Sequence, residues 1–163
     1  MTASSPGNWH WRATPVPAGP AVIFDMDGVL ADATARQHHL TRPRRNWDAF
    51  FAAVGEDELI AEVARLIEVL DPALGVVLLT ARPMGVQAQT LAWLARHGLR
   101  WDLLIMRDQD DYDAAREFKR TAVGSLRSYG FDLRLAFEDD RRNVDMFHAE
   151  NVPCVYIHSG YYE

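Results

Sequence analysis

The chain has 163 residues, of which 48% are hydrophobic and 25% charged, and its net charge is −6. These values are typical of one soluble globular domain and argue against broad affinity for nucleic acid. The single cysteine, Cys154, cannot form an internal disulfide and indicates a reducing compartment. Because we find no apolar stretch of membrane-spanning length and no secretory signal, we expect a cytoplasmic protein without a membrane partner.

The first strongly patterned segment is an apolar run that leads into two aspartates. Residues 1–20 are rich in Pro, Gly, Ser and Ala, which predicts a flexible leader before a domain over 21–163. The run that follows predicts a buried parallel strand ending at Asp25, Asp27 and Gly28. The two aspartates point the same way and repel unless a cation lies between them or one keeps a proton. Either state suits chemistry on phosphate. The alternative interpretation of the two aspartates is an ordinary acidic turn at the end of a core strand.

The segment over 32–72 predicts a small cap inserted after the first strand. Its basic residues are Arg36, Arg42, Arg44 and Arg45. They form either a solvated flap or a rim that contacts phosphate. Trp47 belongs to an aromatic cluster that anchors the insertion, and apolar spacing predicts a helix over 57–70.

The rest of the chain alternates between apolar strands and helical stretches. Strands are predicted over 76–79, 103–106, 134–137 and 152–157. Helices are predicted over 85–97, 113–129 and 143–150, the first two ending at Gly98 and Gly130. This order predicts a doubly wound, Rossmann-like parallel sheet of about five strands with right-handed crossovers.

Polar side chains follow the predicted strands at the edge where such sheets bind ligands. Thr80 and Arg82 follow the second strand, and Glu138 and Asp139 follow the fourth. Lys119, in the helix before the fourth strand, can reach the same edge. A set of carboxylates on loops is the ligand set of a hard cation such as Mg²⁺, which also shares phosphate oxygens.

Together these motifs resemble the haloacid dehalogenase (HAD) superfamily of phosphohydrolases. The four matching motifs are Asp25-Met-Asp27-Gly28-Val29, Thr80, Lys119 and Glu138-Asp139. Within the superfamily the chain is most similar to the phosphatase domains of phage polynucleotide kinases, over stretches that include 106–109 and Ser159-Gly160. The phosphate-binding loop of the kinase half does not occur in this sequence. The sequence departs from the family pattern at 113–116, where Ala114 and Ala115 replace charged residues. The resemblance therefore supports a shared mechanism more strongly than a shared substrate.

The resemblance implies a catalytic role for four residues. Asp25 attacks phosphorus and forms an aspartyl-phosphate. Asp27 protonates the leaving oxygen and then activates water, which requires a carboxyl that holds a proton near neutral pH. Thr80 and Lys119 stabilise the transferring phosphoryl group.

The resemblance also implies a Mg²⁺ site and a set of substrate contacts. The metal ligands are Asp25, Asp139 and the backbone carbonyl of Asp27, with Glu138 a ligand either directly or through water. The substrate contacts are Arg36, Arg82 and Gly28.

The implied activity is hydrolysis of a phosphomonoester, on nucleic-acid 3′-phosphate ends or on nucleotides. One alternative is a phosphatase of sugar phosphates or mononucleotides. Another is a phosphate-sensing module without activity, which the presence of all the catalytic residues disfavours. No obligate protein partner is evident from the sequence.

Overall fold

A six-stranded, mostly parallel sheet forms the centre of the protein in a computed structural model that describes residues 4–41 and 43–162. The strands are β1 (Trp9–Trp11), β2 (Pro20–Phe24), β5 (Gly75–Pro83), β6 (Leu103–Arg107), β7 (Asp132–Glu138) and β8 (Cys154–Tyr156), in the order β1-β6-β5-β2-β7-β8. All but β1 run parallel, so their carboxyl ends share one edge. This confirms the predicted fold class.

The predicted leader contributes the sixth strand, so the expectations of a flexible leader and of five strands need correction. β1 pairs antiparallel with β6 at the edge of the sheet. Trp9 and Trp11 lie on one face of β1, and their rings lie 5.5 and 5.6 Å from the ring of Tyr129. Burial of aromatic area therefore orders this part of the leader, whereas residues 1–3 lie outside the described structure.

Helices cover both faces of the sheet. They are α2 (Ala61–Val69) and α3 (Gln87–Arg96) on one face, and α4 (Ala115–Tyr129) and α5 (Arg141–Ala149) on the other. α4 ends at Gly130, whose φ of +112° permits the left-handed stop. α5 begins at Arg141 because Asp140 caps it by accepting the Arg142 backbone N–H. Among the helices in the described ranges, none has the length and apolarity needed to cross a bilayer.

The inserted cap is shorter than the predicted 32–72. Short strands β3 (Ala31–Asp32) and β4 (Glu58–Leu59) pair at its base and close it. Between them lie a 3-10 helix (Thr34–Leu40), α1 (Trp47–Ala52) and a 3-10 turn (Val54–Glu56). α2 packs Val63 and Ile67 into the core beneath the sheet, so it belongs to the helical layer. Arg42 lies outside the described residues.

The C-terminal tail returns across the carboxyl edge of the sheet to the start of the insertion. The Tyr161 hydroxyl accepts a hydrogen bond from the Ala33 backbone N–H at 2.9 Å and donates one to Asp32 at 3.1 Å. The tail therefore fastens the first residues of the cap to the body of the protein.

Candidate active site

Four predicted site residues meet at the carboxyl edge, where β2 and β7 lie side by side. Asp25 directly follows β2, Glu138 ends β7, and Asp139 comes next. One carboxylate oxygen from each lies within 4.8 Å of the others, which defines the acidic cluster. Lys119 of α4 joins it, with Nζ 3.0 Å from Asp25 Oδ1 and 2.7 Å from Glu138 Oε2. The parallel register of β2 and β7 thus brings together residues more than a hundred positions apart.

Glu138 positions its neighbours in this cluster. Its Oε2 accepts a hydrogen bond from Lys119, and its Oε1 accepts bonds from the backbone N–H groups of Asp139 and Asp140 at 3.0 and 3.2 Å. Burial alone would raise the pKa of Glu138, but the charge of Lys119 and side-chain hydrogen bonds with Asp25, Lys119 and Asp139 hold it below its usual value. Because both oxygens are engaged, the geometry favours a positioning role for Glu138 over direct coordination of a metal.

Asp139 is buried, and neither of its carboxylate oxygens makes a hydrogen bond of regular geometry with any residue that the structure describes, although the Ser159 hydroxyl lies close by. Burial, and then the charge of Glu138, raise the pKa of Asp139 to about 7, while the nearby Ser159 hydroxyl opposes the shift. A buried carboxylate normally has partners, so this one is arranged for a ligand that supplies positive charge.

Gly28 permits the close approach of the backbone to Asp139. A Cβ at this position would lie 2.1 Å from Asp139 Oδ2, and its φ is +82°. Glycine alone tolerates both the contact and the conformation. The motif glycine therefore shapes the side of the acidic cluster on which Asp139 lies.

Charge in the acidic cluster is only partly neutralised, because three carboxylates face one ammonium group. Burial and the charge of Glu138 raise the pKa of Asp25 well above its usual value, against the opposing effect of Lys119. Burial disfavours the charged form of Lys119, but Asp25 and Glu138 outweigh this effect and raise its pKa. Added positive charge would let Asp25 and Asp139 ionise together.

A second cluster, the arginine clamp, surrounds Asp27 and is made of Arg36, Arg82 and Asp57. Asp27 Oδ1 accepts hydrogen bonds from Arg36 Nη2 at 2.9 Å and from Arg82 Nη2 at 2.6 Å. The same two nitrogens bond Asp57 Oδ2 at 2.6 and 3.2 Å. Arg36 also donates through Nε to Asp57 and through Nη1 to a backbone carbonyl. Arg82 also donates through Nε to Asp27 and through Nη1 to a threonine hydroxyl.

The clamp bears on two expectations. Arg36 and Arg82 are 2% and 1% exposed, and every guanidinium nitrogen of each bonds a protein acceptor, so in the free protein they hold Asp27 and do not form an open rim. Their contact with a substrate stays a prediction. Burial alone would raise the pKa of Asp27, but Arg82 and Arg36 lower it. The clamp therefore favours the ionised form of Asp27 in the free protein, a shift opposite in direction to the one expected beside another anion.

Thr80 lies in β5 beside these clusters and is buried. Its hydroxyl oxygen accepts the Arg82 backbone N–H at 3.2 Å and keeps its own proton available for another acceptor.

Two residues of this edge were missed by the sequence reasoning. The sequence indicated Asp57 only as the start of a helix, because a pairing with two arginines that are distant in sequence leaves no local pattern. Arg107 ends β6, and its guanidinium lies over the Phe118 ring. Its Nε and Nη2 are buried and have no acceptor in the part of the chain that the structure describes. Its place after an apolar strand was the available signal.

A family model for the phosphatase domain of the polynucleotide kinase PNKP matches residues 19–162. The chain belongs to this family. The PNKP phosphatase domain is of the HAD type, so the protein is a HAD-superfamily phosphatase, as the motifs indicated. None of the curated proteins matches the chain.

Solved structures share the fold of this PNKP-type domain. A chain of the Pnkp1/Rnl/Hen1 RNA repair complex matches with a TM-score of 0.74 and 24% identity, over 93% of this chain and 46% of that one. A second Pnkp1/Rnl/Hen1 structure matches with a TM-score of 0.73 and 24% identity, over 98% of this chain and 52% of that one. The class C acid phosphatase of Bacillus anthracis with tungstate bound matches with a TM-score of 0.59 and 14% identity, over 90% of this chain and 69% of that one. The chain thus spans about half the length of the two complex chains.

Proposed function

We propose that the protein is a Mg²⁺-dependent phosphomonoesterase that acts through an aspartyl-phosphate intermediate on nucleic-acid 3′-phosphate ends. The observation that carries this proposal is the pairing of Asp25 with Asp139. Both carboxylate oxygens of Asp139 are buried and make no hydrogen bond of regular geometry within the described ranges. A site built for chemistry on phosphate needs such an unsatisfied anionic pair, whereas a purely structural cluster would neutralise it.

The donor set fits a divalent cation. Carboxylate oxygens of Asp25 and Asp139 are hard ligands, and the backbone carbonyl of Asp27 accepts no hydrogen bond from any residue in the described ranges. These three groups would hold the ion, with Glu138 behind them. When bound, Mg²⁺ supplies the positive charge that lets an anionic nucleophile approach an anionic phosphate.

Asp25 is the nucleophile in this mechanism. One of its carboxylate oxygens attacks phosphorus, the bond from phosphorus to the leaving oxygen breaks, and Asp27 supplies the proton that this oxygen takes up. Water then attacks phosphorus, Asp27 accepts the proton of the water, and phosphate leaves with the Asp25 carboxylate restored. Lys119 and the Thr80 hydroxyl balance the charge on the phosphoryl oxygens.

Asp27 changes its protonation state during this cycle. The arginine clamp keeps it ionised in the free protein and therefore ready to act as a base. A bound phosphate dianion beside it raises its pKa by like-charge repulsion, so substrate binding provides the proton-holding state of the first step.

Membership in the PNKP family supports a nucleic-acid end as the substrate. The cap adds exposed groups of suitable chemistry, because Arg44, Arg45 and Trp47 are exposed. Cations and an aromatic face together suit phosphates and bases. The matched chains belong to RNA repair complexes, so an association with other repair proteins is a further part of this proposal.

A panel of phosphomonoesters tests the proposal. The full chain is assayed on a 3′-phosphorylated oligonucleotide, a nucleoside monophosphate and a sugar phosphate, with Mg²⁺ and after chelation. We expect Mg²⁺-dependent release of phosphate that is fastest on the oligonucleotide. A preference for the sugar phosphate would favour the small-molecule alternative, and the absence of turnover on all three by folded protein would refute the proposal.

A further inference from the structure

Arg107 is a partly buried cation without an acidic partner in the part of the chain that the structure describes. It ends β6, and two of its guanidinium nitrogens, Nε and Nη2, are buried and make no hydrogen bond there. Its Cζ atom lies 5.6 Å from the centroid of the Phe118 ring, and this contact compensates only part of the lost hydration. A buried charge is costly unless it is paired, so the arrangement indicates a missing anion.

The two arginines of the clamp show how the same protein satisfies a buried guanidinium group. Arg36 and Arg82 bond protein acceptors through every guanidinium nitrogen, and both pair with Asp27 and Asp57. Arg107 lies at the same edge of the sheet, yet none of the described carboxylates pairs with it. The clamp is therefore complete without a ligand, whereas the surroundings of Arg107 are not.

Arg107 and Asp25 lie on the same face of the sheet. Each comes two residues after an isoleucine of the core layer that α4 covers, and side chains alternate between the two faces of a strand. Consecutive residues of α4 contact them, because Phe118 packs against Arg107 and Lys119 Nζ lies 3.0 Å from Asp25 Oδ1. Since β5 lies between β2 and β6, about 10 Å separates the two positions across the sheet. Arg107 thus shares the edge with the acidic cluster but lies outside it.

The loop that follows Arg107 is acidic but does not neutralise it. Its four carboxylates belong to Asp108, Asp110, Asp111 and Asp113. None of the four pairs with Arg107, and Asp111 instead accepts the backbone N–H of Asp113 at 2.9 Å. Their charge weakens the attraction of an external anion, whereas the first turn of α4, which has no side-chain cap at Ala114, strengthens it. The loop therefore leaves the guanidinium group open to a ligand.

We propose that Arg107 binds a small oxyanion of the phosphate class, at a position separate from the phosphoryl group that Asp25 receives. Nε and Nη2 form one edge of the guanidinium fork, which matches two oxygens of such an ion. Because both nitrogens are closed off from solvent, a small ion suits them and a polymer backbone does not. The site adds to the proposed function, and its binding test does not depend on catalysis.

The experiment measures thermal unfolding of the full chain with a chelator present. Without a metal, the three carboxylates of the acidic cluster repel anions, so anion binding under these conditions reports on Arg107. Inorganic phosphate or sulfate is compared with chloride at equal ionic strength. Arg107→Met removes the charge and keeps an apolar stem beside Phe118, and Arg107→Lys keeps the charge without the fork. The matched control is Arg134→Met, which removes an exposed arginine from β7.

Phosphate at a hundred times its dissociation constant should raise the unfolding midpoint of the unsubstituted protein by about 5–10 °C. Arg107→Met should lose this shift, Arg107→Lys should keep a fraction of it, and Arg134→Met should keep all of it. In chloride alone, Arg107→Met should unfold at a higher temperature than the unsubstituted protein, because an unpaired charge is gone. An arginine with only a structural role would instead make this variant less stable in every buffer.

The oxyanion can be free phosphate or a second phosphate group of the substrate, and kinetics with Mg²⁺ distinguish these sources. These arms rest on the proposed function. If free phosphate binds, added phosphate changes the rate on a sugar monophosphate, and Arg107→Met removes part of this effect. If a second group of the substrate binds, Arg107→Met raises KM about tenfold for a sugar bisphosphate and leaves KM for the monophosphate unchanged.

Two results would overturn the inference. One is a phosphate-induced shift that is equal in Arg107→Met and in the unsubstituted protein, which places the anion elsewhere. The other is the absence of any shift in the folded, unsubstituted protein, as expected if an aspartate of the acidic loop pairs with Arg107 in solution. Neither result bears on the phosphatase, whose failure would appear as the absence of turnover on every phosphomonoester.

Discussion

The two aspartates of the strand-end motif lie in oppositely balanced surroundings. The acidic cluster around Asp25 holds three carboxylates and one lysine, so it lacks positive charge. The arginine clamp around Asp27 holds two carboxylates and two arginines, so it is neutral within itself. Accordingly, the pKa of Asp25 is raised and that of Asp27 is lowered.

This difference explains how two identical residues only two positions apart can serve different roles. In the proposed mechanism, the carboxylate that lacks positive charge attracts a cation and acts as the nucleophile beside it, whereas the neutralised carboxylate stays in place and exchanges a proton. Each of the following changes alters one side of this comparison.

Asp25→Asn removes the nucleophile and has the largest expected effect. We expect kcat/KM on phosphomonoesters to fall at least about a thousandfold, because the amide cannot form the acyl phosphate. The metal-free variant should also unfold at a higher temperature, since one of three crowded carboxylates is gone. Activity close to that of the unsubstituted protein would mean that another group attacks phosphorus.

Arg82→Ala breaks the clamp and should cost about 3–5 kcal/mol of unfolding free energy, because Asp27 and Asp57 are left buried with one arginine. Denaturant midpoints measure the loss. Arg65→Ala, at an exposed position, should leave the midpoint unchanged. Adding Asp57→Asn to Arg82→Ala should recover part of the stability, and failure to recover any would contradict charge balance as the cause.

Mg²⁺ should stabilise the acidic cluster and leave the clamp unaffected. At a hundred times its dissociation constant, the ion should add about 2.7 kcal/mol to the unfolding free energy. Asp139→Asn should abolish this increment, whereas Asp57→Asn should retain it. Thermal unfolding with Mg²⁺ and with a chelator gives the comparison, and an increment that survives Asp139→Asn would place the ion elsewhere.

The metal-free protein should lose stability as the pH rises from about 4 to about 7. The folded state keeps a proton on Asp139 up to its pKa of about 7, whereas the unfolded chain releases it near its ordinary value. Asp25, whose pKa is also raised, keeps its proton over part of the same window. The folded state therefore binds more protons than the unfolded chain, and each of these carboxyl groups lowers the unfolding free energy by up to about 1.4 kcal/mol per pH unit. Asp139→Asn should flatten this slope, and an unchanged slope would assign it to another group.

Sequence reasoning went furthest where topology controls position. The carboxyl ends of parallel strands share an edge, so the meeting of Asp25, Glu138 and Asp139 with Lys119 followed from strand order. Sequence reasoning failed where long polar side chains bond partners that are far apart in the sequence. The clamp depends on the path of the insertion, which brings Asp57 to Arg36 and Arg82, and this contact reversed the expected pKa shift of Asp27.

The edge strand β1 escaped sequence reasoning for another reason. Three residues are too few to display a period, and the surrounding Pro and Gly residues favoured a loose segment. What orders Trp9 and Trp11 is a ring cluster with Tyr129, a residue from α4 far along the chain.

The anchor that Tyr161 provides has a thermodynamic corollary. The tail carries Ser159 close to Asp139. Through Tyr161 the same tail hydrogen-bonds Ala33 and Asp32 at the start of the cap. If an ion at Asp139 orders the tail, it also stabilises the position of the cap. Reciprocity then requires that a ligand bound beneath the cap alters the affinity of the ion by an equal factor. Cation titrations performed with and without a bound oligonucleotide would thus report one shared coupling constant.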